Sequence, residues 1–82
     1  MAETSARHIT LDQLAAGQMG YVLWLRGGRG LVSRLATLGF TPGAAVQMIQ
    51  NYHHGPLIVM IRDTRVALGR GEAAHIVVST GQ

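Results

Sequence analysis

The residue run with the sharpest chemical meaning is Gly69-Arg70-Gly71-Glu72-Ala73-Ala74, a G-x-G-x-x-A pattern of the kind that lets backbone approach a pyrophosphate where a strand enters a helix. That chemistry also needs a long crossover helix, a second parallel strand and an acid about 20 residues on, and the eight residues after Ala74 supply none of them. Gly27-Gly28-Arg29-Gly30 offers backbone N–H groups and nearby arginine charge to an anion, but no G-K-[ST] ending follows and the glycines serve equally to reverse the chain. His53 and His54 are adjacent, and Glu72 precedes His75 by three residues. These four are weak metal candidates, because adjacent side chains on a strand point to opposite faces and histidines beside Gly55-Pro56 are ordinarily solvated. The four acids, Glu3, Asp12, Asp63 and Glu72, are too dispersed for a carboxylate pair, and no local signature marks a nucleophile. The expectation is a non-enzymatic protein with no cofactor and no dedicated metal.

Composition narrows the remaining classes. An 82-residue chain that is 48% hydrophobic has room for one small core. Cysteine is absent, which excludes disulfide frameworks and Cys-based metal sites. Residues 35–61 carry no Asp, Glu, Lys or Arg, yet glycines, prolines, Asn51 and two histidines break the run, so no membrane insertion is expected. The start has no apolar stretch long enough for a signal-peptide core, and a soluble protein is predicted. All seven basic residues are Arg and the formal charge is +3. They are scattered, so no specific nucleic acid is expected as a partner.

The elements that must position these residues follow from periodicity and turn chemistry. Thr10-Leu11-Asp12-Gln13 has capping-box form and predicts a helix over 11–16, ended by Gly17. Strands are predicted over 18–25, 46–52, 57–62, 64–68 and 75–78. Leu31, Leu35 and Leu38 form a core stripe on a helix over 31–38 that Gly39 ends, and Thr41-Pro42-Gly43 reads as a type II turn. Residues 57–62 and 64–68 are expected to make a tight hairpin, and 69–74 no more than one helical turn. The fold class is mainly β with short helices, a sheet of five or six strands bent into a small barrel. The barrel domain spans 9–78, between a loose N-terminus (1–8) and a C-terminal tail (79–82).

The stretch from Gly30 to Val46, a helix ending Arg34-Leu35-Ala36-Thr37-Leu38-Gly39-Phe40-Thr41-Pro42-Gly43 and leading into a strand, resembles the central signature of the FeoA family. Gly20 and Val22, Gly55-Pro56 before Ile58-Val59, Val66-Ala67-Leu68 and Ala73 through Val78 agree with the same pattern. The resemblance implies an SH3-like barrel and a cytoplasmic accessory protein of bacterial ferrous iron uptake. It also implies a partner, the iron transporter FeoB, contacted through its cytosolic G-protein domain. Similar modules sit behind the DNA-binding domains of metal-dependent repressors, so the alternative is a metal-responsive or nucleic-acid-binding regulatory module; no helix-turn-helix precedes the segment here.

A small barrel without catalytic groups acts by presenting a surface. The inward face is committed to the core, which leaves loops and outward helix positions. Arg26, Arg29, Arg34, Tyr52, His53 and Leu57 are the expected contact residues, Tyr and Arg being favoured interface anchors. Weak self-association is compatible with the same surface.

Overall fold

Along Met19–Leu25, Ala45–Gln50 and Leu57–Ile61 buried residues alternate with half-buried or exposed ones, so each segment is a strand with one face to a core. The computed structural model describes residues 7–80. In chain order these form β1 (His8–Thr10), a 3₁₀ turn (Leu11–Gln13), β2 (Met19–Leu25), α1 (Arg29–Thr37), β3 (Ala45–Gln50), β4 (Leu57–Ile61), β5 (Thr64–Leu68), α2 (Arg70–Ala73) and β6 (Ile76–Ser79). One six-stranded sheet has the order β1-β6-β2-β3-β4-β5, and every pairing is antiparallel. Its register shifts between Val22 and Trp24 on β2 and between Met48 and Gln50 on β3. Extra residues of this kind increase the local twist and curl the sheet around the core. Among the described residues no helix is long and apolar enough to cross a membrane.

The connections obey backbone chemistry that the sequence announces. Gly39 has φ +112°, its N–H donates to Ala36 O at 3.0 Å, and the Phe40 N–H donates to Leu35 O at 3.1 Å. These bonds make a Schellman motif, and its hydrophobic pair, Phe40 and Leu35, is wholly buried. Ala44 N–H donates to Thr41 O at 3.0 Å and Gly43 has φ +89°, the geometry of a type II turn. Between β4 and β5, Ile61 pairs with Thr64 and both intervening residues, Arg62 and Asp63, have positive φ, which identifies a type I′ hairpin turn.

The core contains Leu11, Leu14, Val22, Leu35, Phe40, Val46, Met48, Leu57, Val59, Ile61, Ile76 and Val78, all essentially without solvent contact. Burial of each such side chain stabilises the fold by roughly 1.5–3 kcal/mol relative to leaving it exposed.

The first predicted helix shrinks to the 3₁₀ turn. Leu11 and Leu14 both enter the core, and a spacing of three aligns them on one face of a three-residue repeat. Beyond it the chain is drawn to β3, where Gly17 N–H donates to Met48 O at 2.8 Å and Met48 N–H to Gln18 O at 2.9 Å. Of the residues 1–8 assigned to a loose N-terminus, 1–6 lie outside the described residues, and His8 pairs with Ser79 in the sheet. Ser79, assigned to the tail, therefore belongs to β6. Leu38 is a further correction, since the helix closes at Thr37 and leaves Leu38 at its C-cap, 41% exposed instead of in the core.

Candidate partner-binding surface

The connection between β3 and β4 begins with Asn51, the one polar side chain buried among the described residues. Its Nδ2 donates to Leu14 O at 2.8 Å and Asp12 O at 3.0 Å. Its Oδ1 accepts the His53 N–H at 2.9 Å and Arg70 Nη1 at 3.0 Å. Arg70 also donates from Nη2 to Asp12 O at 3.2 Å and from Nη1 to Gly55 O at 3.4 Å. His53 stands at φ 66°, an uncommon backbone state for a residue with a side chain, held by these bonds. Tyr52 projects from the loop with 65% of its surface exposed.

The second part comes from α1 and the loop before it. Arg26 donates to Ala74 O at 3.1 Å, and Arg34 forms an ion pair with Glu72. Both ionic side chains remain solvated enough that the pair contributes at most about 1 kcal/mol. Arg29 is exposed in the first turn of α1, where a cation opposes the helix dipole by a few tenths of a kcal/mol or more.

The two parts meet at α2. Within that single turn Arg70 holds the β3–β4 loop, Glu72 holds α1 and the carbonyl of Ala74 holds Arg26. The loop that carries Tyr52 and His53, and the side chains of Arg26 and Arg34, are therefore all bonded to this short element or its C-cap. Leu57 does not join them: it pairs with Leu68 at the start of β4, faces inward and is fully buried, which removes it as a contact residue.

Two of the candidate metal ligands, His75 and Glu72, have other partners. The His75 ring nitrogen Nδ1 lies 2.8 Å from Gly71 O, which it reaches as a donor, and the imidazole lies so close to Gly27 that a Cβ there would sit 3.0 Å from His75 Cδ2. The Glu72 carboxylate accepts from Arg34 and from the Gly69 N–H at 3.2 Å. His53 and His54 are exposed on the loop. Among the described residues no three His, Asp or Glu side chains converge. The G-x-G-x-x-A run is the one-turn α2 leading into antiparallel β6, an arrangement without the parallel crossover of a dinucleotide site.

A second exposed region lies on β2. Met19, Tyr21 and Trp24 are each about half exposed on β2. Met19 and Tyr21, flanking Gly20 and preceding inward Val22, belong to the outer face, a periodicity of two that the sequence contains. Beside them a shallow groove of about 560 Å³ is lined by Met19, Pro42, Ala45, Gln47, Met60 and Asp63. Trp24 meets the ring of His8 edge-on at 5.8 Å.

Comparison with known proteins bears on the whole arrangement. The chain is 33% identical over 55 residues to a Methanocaldococcus jannaschii protein provisionally named Fe(2+) transport protein A. That match takes in 67% of this chain and 66% of the relative. A crystal structure described as the iron uptake regulatory protein FeoA superposes with a TM-score of 0.84 at 30% identity, covering 88% of this chain and 96% of the other. The zinc complex of Stenotrophomonas maltophilia FeoA, described as a procaryotic SH3 domain protein, superposes with a TM-score of 0.77 at 31% identity, covering 85% and 88%. A manganese-dependent transcriptional repressor shares the fold at 21% identity, with a TM-score of 0.80 over 96% of this chain and 44% of the repressor. The fold is thus SH3-like, and since the FeoA domain model matches residues 9–80, nearly the full described length, the chain belongs to the FeoA family.

Proposed function

We propose that this protein is a cytoplasmic, non-enzymatic accessory of ferrous iron uptake that binds the cytosolic G-protein domain of the transporter FeoB through the surface around α2. Family membership supports the iron-transport role, and the S. maltophilia relative is described as a candidate ferrous iron transport activating factor. The observation that carries the surface is Tyr52, the most exposed large hydrophobic side chain among the described residues, standing on a loop whose backbone is fixed by Asn51 and Arg70. An aromatic side chain with only two rotatable bonds on a fixed loop gives much contact area for little ordering cost. Arg34, paired with Glu72, and the exposed Arg29 supply charge to an acidic partner surface.

Co-purification with the FeoB cytosolic domain, together with ferrous iron uptake in cells, tests this reading. Tyr52→Ala combined with Arg34→Glu keeps the fold, because neither side chain contributes to the core, and is expected to weaken co-purification and lower uptake. Unchanged association and uptake in the folded variant would remove this surface from the function. Failure of the unaltered protein to associate at all would remove FeoB as the partner.

A further inference from the structure

We propose that Arg70 is a positioning residue for partner binding: it holds the β3–β4 loop so that Tyr52 is presented in one fixed place, an inference that rests on the reading of function above. The Asn51 amide has two N–H donors and two acceptor lone pairs, and all four are matched, to Leu14 O, Asp12 O, the His53 N–H and Arg70. The loop is thereby pinned at two points on either side of its tip, at His53 through Asn51 and at Gly55 through Arg70. Only the planar fork of a guanidinium reaches Asn51 Oδ1, Gly55 O and Asp12 O together.

Loss of Arg70 leaves the fold largely satisfied. Asp12 O keeps the Asn51 Nδ2 bond, Asn51 Oδ1 keeps the His53 N–H, and Gly55 is exposed to water. What disappears is the tie on the far side of the loop. The ordering of Tyr52, otherwise completed on folding, then falls on the binding step and lowers affinity without removing any contact. Because Glu72, two residues on, pairs with Arg34, the same turn of helix fixes both the aromatic and the basic parts of the surface.

The test compares the unaltered protein, Arg70→Ala, Arg70→Lys, Tyr52→Ala and the Arg70→Ala, Tyr52→Ala double variant, with nitrogen-15 relaxation on the protein alone and affinity measured toward the FeoB cytosolic domain. Residues 52–55 are expected to be as ordered as the strands in the unaltered protein, with backbone order parameters near 0.85, and to fall toward 0.6 in Arg70→Ala while the strands do not change. Arg70→Lys, with one ammonium in place of the fork, should restore only part of that order. Affinity should drop about tenfold in Arg70→Ala and in Tyr52→Ala, with little further loss in the double variant, because Arg70 acts through Tyr52. Unchanged loop order in Arg70→Ala would overturn the proposal whatever the partner. Additive losses in the double variant would also overturn it, since they mean Arg70 contacts the partner itself. Absence of binding by the unaltered protein would overturn the reading of function, while the relaxation result alone still decides whether Arg70 orders the loop.

Discussion

Gly39 shows how much a single position is asked to do. Its φ of +112° closes the Schellman motif of α1, and a Cβ there would stand 3.1 Å from Arg62 Cδ, whose guanidinium donates to Gly39 O at 3.4 Å and Thr41 Oγ1 at 2.9 Å. Gly39→Ala therefore combines backbone strain with displacement of Arg62 and is expected to destabilise by roughly 1–2 kcal/mol. In a domain of this size thermal melting should drop by about 4–8 °C per kcal/mol, and an unchanged melting temperature would refute the assignment. Gly39, Pro42 and Gly43 were legible in the sequence because their demands are local: a positive φ selects glycine wherever the fold places it. Leu57 and Leu38 were misread for the opposite reason. The inward register of Leu57 follows from pairing with Leu68, and Leu38 falls outside the stripe because the helix ends one residue before it. The Asn51–Arg70 bond, 19 residues apart in the chain, left no local trace.

At the level of elements, the β4–β5 hairpin is a place where the chain is not at its optimum. A type I′ turn needs positive φ at both central residues, and here these are Arg62 and Asp63 instead of the favoured Asn-Gly or Asp-Gly. Arg62 is retained by its bonds to Gly39 and Thr41, whereas Asp63 has no such tie among the bonds formed by described side chains. Asp63→Gly is expected to stabilise by a few tenths to about 1 kcal/mol, read as a higher melting temperature, and a lower one would show that the carboxylate contributes something the turn geometry does not reveal. The five strands predicted from β-branched and aromatic runs are all present, Thr64–Leu68 with the expected bounds and the other four with shifted ends. The sixth, β1, escaped prediction because three residues carry no periodicity and become a strand only by pairing with β6. The helix expected over 11–16 failed similarly, its sequence signal being overridden by the bonds that draw Gly17 and Gln18 onto β3.

For the whole molecule, the curled six-stranded sheet uses one face for the core and leaves its loops and margins exposed. Arg34 and Tyr52 are both among the contact residues expected from the sequence. In the structure α2, a turn of four residues whose sequence first suggested nucleotide chemistry, bonds through Arg70 to the loop that carries Tyr52 and through Glu72 to Arg34 of α1. The outer face of β2, with Met19, Tyr21 and Trp24, is a separate exposed apolar region, so the surface around α2 can be tested against it. The most direct measurement is calorimetric titration of the purified protein into the FeoB cytosolic domain, with Tyr52→Ala and Tyr21→Ala variants alongside. A saturable, one-to-one isotherm weakened about tenfold by Tyr52→Ala and unaltered by Tyr21→Ala is the expected result. No heat of binding from the unaltered protein, or a loss confined to Tyr21→Ala, would contradict partner binding through the surface around α2.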